Sequence, residues 1–486
     1  MSWIKAKDPW LLAAVALATL AAAALAIERV WLAAVQPLWF DEAWSLMVAA
    51  TPDWRALVHE TRVDVNAPLY YVLLHAWTTL VGTSNLALRL PGLIAVAVAA
   101  AIPLGRRVPG LAFESRLALA VMLFAWWGVD MFLGGRAYGL LLALSTLQCL
   151  LFAELIDNPT THRALAWAVV SALAILTHYY AAIATGVEGL VYLGLCRRQA
   201  LRSWPAALAF LPAFAWIAWH APRLLAFANL DVAWHGAVGP AEALALGGFI
   251  LNPSAPAIGL VVAALAGAAF LAVRDREAGE PRGLWIAAAA ALIALALTLA
   301  SGAWRPSLTA RYLIPAVPGL LLGLVLCAQA TRWRRPALAA LTLAYLVPAL
   351  APTTFREGLS GRSPYGFETA SDILMRHGVS DVVFAWDHEA TRIMPPATLE
   401  RLGGAFFRRA GSSVRVHPLV TRPGDDVNSL ALAAATGPRP GIIWIYNRDG
   451  RTAARTHPPE IPTRDRRWRC ERIGDQTIGN LACWRQ

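Results

Sequence analysis

Lysine is nearly missing from this chain: it occurs only as Lys5 and Lys7, so almost every cation is an arginine. Charged residues as a whole make up 15% of the 486 residues, and 58% are hydrophobic. An ordinary soluble domain carries about 25% charged residues. The shortage excludes a disordered chain, a coiled coil and a collagen-like repeat. Five cysteines in 486 residues exclude a small disulfide scaffold. The C-terminal part, from Thr353 onward, has no glycine-rich phosphate loop, no Walker motif and no histidine or cysteine set at metal-ligand spacing. A multi-spanning membrane protein is the class that remains.

The scarcity of charge is uneven. From Thr353 onward 33 of 134 residues are charged, against 40 of the first 352. That step predicts a membrane body over residues 1–352 and a soluble domain of ordinary composition over 353–486. Eleven apolar runs, at 10–30, 88–105, 116–134, 137–156, 164–183, 184–196, 204–227, 257–273, 284–303, 313–330 and 336–352, are near the roughly 20 residues that cross a bilayer. A further run, 67–81, is shorter and suits a helix lying in the interface, within a first outer loop of about 40–87. With Lys5 and Lys7 inside and 67–81 counted as interfacial, Arg106 and Arg107, Arg197 and Arg198, Arg274 and Arg276, and Arg332, Arg334 and Arg335 all fall on the cytoplasmic side. The positive-inside rule therefore predicts a cytoplasmic N-terminus and an extracytoplasmic C-terminal domain. The net charge of +11 follows from these loop clusters, so no nucleic-acid partner is expected. The run at 10–30 exceeds the 7–15 residues of a signal-peptide core and reads as an uncleaved first span.

In the C-terminal part, residues 381–386, 414–419 and 441–446 read as strands and 425–436 as a helix capped by Asp425 or Asp426. A small α/β layer is expected. Cys470 and Cys483 lie in two strand-like arms around a Gly-containing middle, open to either a disulfide or two free thiols. Cys149, Cys196 and Cys327 lie in apolar runs and read as packed.

The residues that carry chemistry gather at the outer ends of the spans. Asp41 and Glu42, within Trp39-Phe40-Asp41-Glu42-Ala43-Trp44-Ser45, follow the first span directly. A carboxylate near the hydrocarbon is costly and tends to serve a function; the plain alternative is an acidic cap for a helix over 43–50. Asp64 and Asn66 precede Ala67-Pro68-Leu69-Tyr70-Tyr71. Asn66 can cap the next helix, Pro68 fits its first turn, and Tyr70 and Tyr71 suit headgroup level. Arg136 with Tyr138, His178 with Tyr179 and Tyr180, and Arg311 with Tyr312 fall at three further outer span ends. Arginine on that side opposes the topological trend and asks for an anionic partner, with snorkelling to lipid phosphate as the plain alternative. Three such sites on one face favour an anionic lipid headgroup.

Taken in order, WFDEAWS, NAPLYYVLLHAW, SNLALRLPGL, GRAYGLL, THYY and RYLIPAVP resemble the bacterial family 39-type glycosyltransferases of the glycosyltransferase-C superfamily, over about residues 10–330. These are relatives of the protein O-mannosyltransferases and the lipid A aminoarabinose transferases. The resemblance implies a mainly α polytopic membrane fold with juxtamembrane helices, a polyprenyl-phosphate-linked sugar donor and transfer on the outer face of a bacterial inner membrane. It implies Asp41 as the catalytic base, with Glu42 beside it. The chain departs from the family where Asn66-Ala67-Pro68-Leu69 replaces His-Pro-Pro-Leu and where Gly134-Gly135 precedes Arg136-Ala137-Tyr138 without the usual Glu.

The expected chemistry is inverting. Arg136 and Arg311 steady the departing phosphate, and one carboxylate takes the acceptor proton. Asp64, Asn66, Tyr70, Arg136, Tyr138, His178, Tyr179, Arg311 and Tyr312 are the expected substrate contacts. Lipid, glycan or protein hydroxyls are the candidate acceptors, no cofactor is implied, and a metal requirement stays open. A flippase for lipid-linked glycans is the alternative. The polar residues cluster at one membrane face, whereas a transporter is expected to pair broken helices around the midplane.

Overall fold

The computed structural model describes residues 9–126, 135–228, 238–243, 246, 282–304, 308–350, 366–387, 389–422, 425–447, 467–474 and 478–486. Among the described residues, thirteen helices precede the C-terminal domain: α1 Pro9–Val35, α2 Phe40–Ala49, α3 Trp54–Val63, α4 Leu69–Val81, α5 Asn85–Gly105, α6 Phe113–Ala125, α7 Tyr138–Asp157, α8 Thr161–Thr177, α9 Ala181–Arg202, α10 Leu211–Ala228, α11 Gly283–Trp304, α12 Val317–Ala330 and α13 Arg334–Ala349. Short 3-10 turns, Trp204–Phe210 and Ala310–Ala316, lead into α10 and α12.

Ten of the eleven apolar runs coincide wholly or in part with these helices, and 257–273 lies outside the described residues. The boundaries shift for local reasons. The run at 164–183 is cut at Thr177, because His178 is extended and a turn follows it. The run at 184–196 is longer than it reads, reaching Arg202 through a non-helical Arg197. Of 116–134, residues up to Ala125 form α6, and 127–134 lie outside the described residues. Six segments among the described residues are both long and apolar enough to cross a bilayer: Pro9–Val35, Asn85–Gly105, Tyr138–Asp157, Trp204–Ala228, Gly283–Trp304 and Ala310–Ala330. Helix α4, with 13 residues, is too short to span, as 67–81 suggested.

The bundle centres on α7, which packs against α5, α8 and α11 and carries buried residues along its length. Backbone groups in an apolar interior must be satisfied within the helices, so polar side chains concentrate at the helix ends. At one end Arg106 pairs with Glu154 (2.8 Å) and Arg334 and Arg335 reach Glu114 (3.5 and 3.7 Å). Asp157 caps the start of α11 there, accepting from the N–H groups of Arg282 and Gly283 (2.8 and 2.7 Å). Arg136, Tyr138 and His178 lie at the other end. Helix α7 alone separates the two, and its 20 residues rise about 30 Å.

The C-terminal domain contains a five-stranded sheet in the order β2-β1-β3-β5-β4, with β1 Asp381–Trp386, β2 Arg415–Leu419, β3 Pro440–Asn447, β4 Trp468–Gly474 and β5 Ile478–Arg485. Strand β1 is parallel to β2 and β3, while β5 is antiparallel to β3 and β4. Both faces of β1 are covered, which is why DVVFAW reads as continuous rather than alternating apolar sequence. Helices α14 Phe367–Arg376, α15 Pro396–Gly403, α16 Ala405–Arg409 and α17 Val427–Ala434 complete the domain. Asp426 caps α17, accepting from Asn428 and Ser429. Cys470 and Cys483 are directly opposed in the β4–β5 pair and form a disulfide.

The compositional step at Thr353 falls within 351–365, outside the described residues. Packing does not respect that step. Val382, Phe384 and Ile443 on one face of the sheet share a single apolar cluster with Trp44, Met47, Leu57 and Tyr70 of the first loop. The opposite face, with Val383, Ile442 and Trp444, has a cluster of its own.

Helices α5 and α7 cross at a pair of glycines, where a β-carbon on Gly139 would land on the Gly92 carbonyl. Gly139→Leu is expected to force the helices apart and destabilise the protein by about 1–3 kcal/mol. Thermal unfolding of the detergent-solubilised protein checks this, and an unchanged midpoint would contradict the close crossing.

Candidate active site

The first turn of α2 sets the geometry. The helix begins at Phe40 rather than at 43, with Trp39 as its N-cap, so Asp41 and Glu42 lie inside the first turn and not before it. Helix dipole and exposed N–H groups favour carboxylates there. The two acids then diverge. Glu42 is 1% exposed and forms a two-pronged ion pair with Arg89 of α5, Nε to Oε1 at 2.6 Å and Nη2 to Oε2 at 2.7 Å. Its oxygens also accept from the Gly135 and Trp39 N–H groups (2.9 and 3.2 Å). Arg89 spends its remaining donors on the carbonyls of Ala33, Gln36 and Pro37 (3.1, 2.7 and 3.1 Å). Glu42 is therefore fully engaged as an acceptor.

Asp41 stays available. Its side chain is 23% exposed, and Oδ2 lies 3.0 Å from Nη1 of Arg311, which arrives on the 3-10 turn before α12. Arg136 approaches the same residue from the start of α7, its Nη1 3.4 Å from the Asp41 carbonyl. Three residues separated by up to 270 positions thus meet at one end of the bundle. The Arg311 guanidinium also lies over the rings of Tyr138 and Tyr312, at 5.7 and 5.9 Å. Its buried Nε has no hydrogen-bond partner among the described residues. Leaving such a donor unpaired costs more than an ordinary hydrogen bond contributes, so the arrangement suits an additional anionic group.

A chain of polar contacts continues from Arg136. Its Nη1 lies 3.3 Å from the Tyr71 hydroxyl, which donates to Asp64 Oδ2 at 2.6 Å. Burial, and then the charge of Asp64, push the Tyr71 phenol well above its ordinary pKa, so it remains a donor. Asn66 joins the same carboxylate through Nδ2 (2.8 Å). It does not cap α4, whose N-cap is Pro68. Arg136, Tyr71 and Asn66 border a tight cavity of about 10 Å³, room for about one water molecule. Ser45, Tyr70, Tyr138 and His178 complete much of its lining. The Tyr70 hydroxyl is buried there without a partner among the described residues. Asp41 and Arg311 do not line this space; they adjoin it through Arg136 and Tyr138.

His178 packs its ring on Tyr312 (5.0 Å) and Tyr138 (5.9 Å), and Tyr180 stacks on Tyr312 at 4.6 Å. Tyr179 turns away from this group. Its hydroxyl lies 2.7 Å from His220 Nδ1 and accepts from Trp216 Nε1 at 2.9 Å. His220 is fully buried, and its Nε2 lies 2.8 Å from the Asp64 carbonyl, which can only accept. The imidazole must therefore donate at Nε2 and accept from Tyr179 at Nδ1. Arg89, Trp216 and His220 escaped the sequence reading. Arg89 and His220 are ionisable residues inside apolar runs, and that alone is a signal. No group of three or more His, Cys, Asp and Glu arranged to hold a metal ion occurs among the described residues.

No family profile matches the chain, and no curated relative does. Solved structures do. ArnT from Cupriavidus metallidurans in the apo state is similar with a TM-score of 0.56 at 14% identity, covering 98% of this chain and 97% of that one. ArnT from the same organism bound to undecaprenyl phosphate is similar with a TM-score of 0.54, also at 14% identity, covering 98% of each chain. At this identity the likeness establishes the fold alone: mainly helical, with long apolar helices and a small C-terminal sheet domain.

Breaking the Glu42–Arg89 pair from one side leaves a buried, uncompensated guanidinium. Glu42→Leu is expected to destabilise the protein by about 3–5 kcal/mol, and Glu42→Leu with Arg89→Met by less. Denaturant unfolding in detergent micelles measures both, and equal losses in the single and double variants would contradict the pairing.

Proposed function

We propose that the chain is a membrane glycosyltransferase that moves a sugar from a polyprenyl-phosphate donor to an acceptor hydroxyl, with Asp41 as the base. The observation that carries this reading is the meeting of Asp41 with Arg311 and Arg136 at one end of the bundle, beside a buried guanidinium N–H without a hydrogen-bond partner among the described residues. The similarity in fold to ArnT, one of whose structures holds undecaprenyl phosphate, supports the donor class.

In this mechanism the donor phosphate lies against Arg311 and Arg136. A phosphate carries more charge than a carboxylate and is the stronger partner for a guanidinium. Its arrival draws Arg311 off Asp41 and leaves that carboxylate free to accept a proton. The acceptor O–H gives its proton to Asp41 as its oxygen attacks the anomeric carbon. The bond from that carbon to the phosphate oxygen breaks, and polyprenyl phosphate leaves with the electron pair, its charge held by the two arginines. One base and no covalent intermediate give inversion at the anomeric carbon.

Tyr71 and Asn66 hold Asp64, and Tyr71 in turn lies against Arg136, so this polar set keeps the cation aimed at the phosphate. Tyr70, Tyr138, His178 and Tyr312 offer hydroxyl and ring contacts to the sugar, and the apolar helix faces hold the prenyl tail. The orientation that fits is a bacterial inner-membrane protein with the N-terminus and the arginine-rich loops inside, and with the site and C-terminal domain outside.

Purified protein with a polyprenyl-phosphate sugar tests the assignment. Asp41→Asn is expected to lower kcat by about 10²–10⁴-fold while donor binding persists. Arg311→Gln is expected to weaken donor binding itself. Wild-type turnover in the Asn variant would remove Asp41 from the mechanism, and retention of the anomeric configuration in the product would exclude the single-base route.

A further inference from the structure

Asp41 lies in the first turn of α2, and the stretch leading into that turn is held from two directions. The membrane body supplies Arg89, which takes the Gln36 and Pro37 carbonyls and the Glu42 carboxylate. The second hold comes from the C-terminal domain, across more than 300 residues of sequence. Glu368, near the start of α14, accepts the Leu38 N–H through Oε2 at 2.5 Å, and its own N–H donates to the Leu38 carbonyl at 3.2 Å. The same Oε2 accepts from Asn85 Nδ2 at 2.9 Å, and that amide also reaches the Gln36 carbonyl at 3.0 Å. The other oxygen pairs with Arg409, which in turn donates to Asn85 Oδ1 at 2.7 Å. One residue before Asp41, the Phe40 ring rests on Trp386 and Phe367, with centroids 4.5 and 6.3 Å away.

We propose that Glu368 is a positioning residue for Asp41: its two-point clasp on Leu38 fixes the start of α2 so that the Asp41 carboxylate faces Arg311 and the acceptor. The inference rests on the reading of Asp41 as the base. Among the described residues the Glu368 carboxylate bonds the backbone of Leu38 and the side chains of Asn85 and Arg409, none of which is a reacting group in the proposed transfer. Leu38 is fully buried, so its N–H has no water to turn to if the Glu368 carboxylate is lost, while its carbonyl keeps the backbone N–H of residue 368. The segment entering α2 must then shift to satisfy that N–H, and Asp41 shifts with it. A displacement of about 1 Å at a reacting group costs on the order of 10²-fold in rate. Docking of the domain does not depend on Glu368 alone. The Arg401–Glu60 ion pair and the apolar cluster shared by Trp44, Phe384 and Phe406 remain when it is changed.

The test compares full-length Glu368→Ala and Glu368→Gln with a control, Val382→Ala, which removes two methyl groups from fully buried β1 in the same domain and leaves the clasp intact. Three readouts are taken: kcat and KM for the polyprenyl-phosphate sugar, the unfolding temperature, and amide exchange over residues 38–43. Glu368→Ala is expected to lower kcat at least about tenfold with donor KM within about twofold. It is also expected to speed exchange at the start of α2. The Gln side chain still accepts from Leu38, so Glu368→Gln is expected to recover at least about half of wild-type turnover. Unchanged kcat and exchange in Glu368→Ala overturn the proposal. So does an equal kcat loss in Val382→Ala at the same drop in unfolding temperature. If the wild-type protein transfers no sugar from such donors, the functional reading fails on its own. The exchange data then still decide whether Glu368 orders the start of α2.

Discussion

Removing Glu42 and Arg89 from water costs several kcal/mol per ion, and that cost is offset only where every lone pair and N–H finds a partner. Here the pair meets that condition. The carboxylate accepts four donors, and the guanidinium reaches three carbonyls at the end of α1 besides its ion pair. Four pieces of chain converge on it: the end of α1, the start of α2, the second turn of α5 and the approach to α7. Because Asp41 neighbours Glu42 and Arg136 neighbours Gly135, the structural ion pair also fixes the separation of a carboxylate and a cation that keep partial access to their surroundings. Two adjacent acids of the same chemistry differ in role because one is fully engaged and the other is not.

The same constraint explains where a site can be built in such a chain. Within the bundle every polar group must be satisfied internally, and the described helices comply with long apolar stretches and few interior charges. Helix ends escape the restriction. Arg136 opens α7, His178 follows α8, Arg311 precedes α12 and Asp41 opens α2, so residues far apart in sequence share one end. The opposite end gathers Arg106, Glu114, Glu154, Arg334 and Arg335, where three arginines share two carboxylates. At the first end Arg311 keeps a buried N–H without a hydrogen-bond partner among the described residues, beside a carboxylate that is still partly exposed.

Much of this was legible before any coordinates. Hydropathy marked the helices, and the run at 67–81 was too short to span, as α4 is. The expected strands at 381–386, 414–419 and 441–446 correspond to β1, β2 and β3. Asp41, Arg136 and Arg311 stood out because a charge at a span end on the arginine-poor side needs a reason. What stayed hidden depends on pairing across distance. Nothing near Glu42 in sequence names Arg89, 47 residues away, and nothing near Leu38 names Glu368. The start of α2 was placed three residues late, because a Trp-Phe pair lacks the polar side chain that usually signals an N-cap. Tyr179 was grouped with His178 by adjacency, yet an extended residue at 178 sends the two side chains to different neighbours.

Charge balance at this end of the bundle completes the picture. Arg136 and Arg311 lie among Asp41 and Asp64, so the group holds two cations and two anions and has no net demand for a partner at first sight. The distribution says otherwise. Asp64 is already engaged by Tyr71, Asn66 and its neighbour's N–H, and Arg136 reaches it only through the Tyr71 hydroxyl. The remaining pair, Asp41 with Arg311, is joined by a single contact at 3.0 Å rather than the two-pronged geometry that Arg89 makes with Glu42. A one-point ion pair at 23% exposure on both sides is weak and readily exchanged. Under the proposed reaction this weakness has a use. A tighter Asp41–Arg311 pair would oppose donor binding and hold the carboxylate as a poor base, whereas the looser one yields its arginine to the incoming phosphate and leaves the proton acceptor in place.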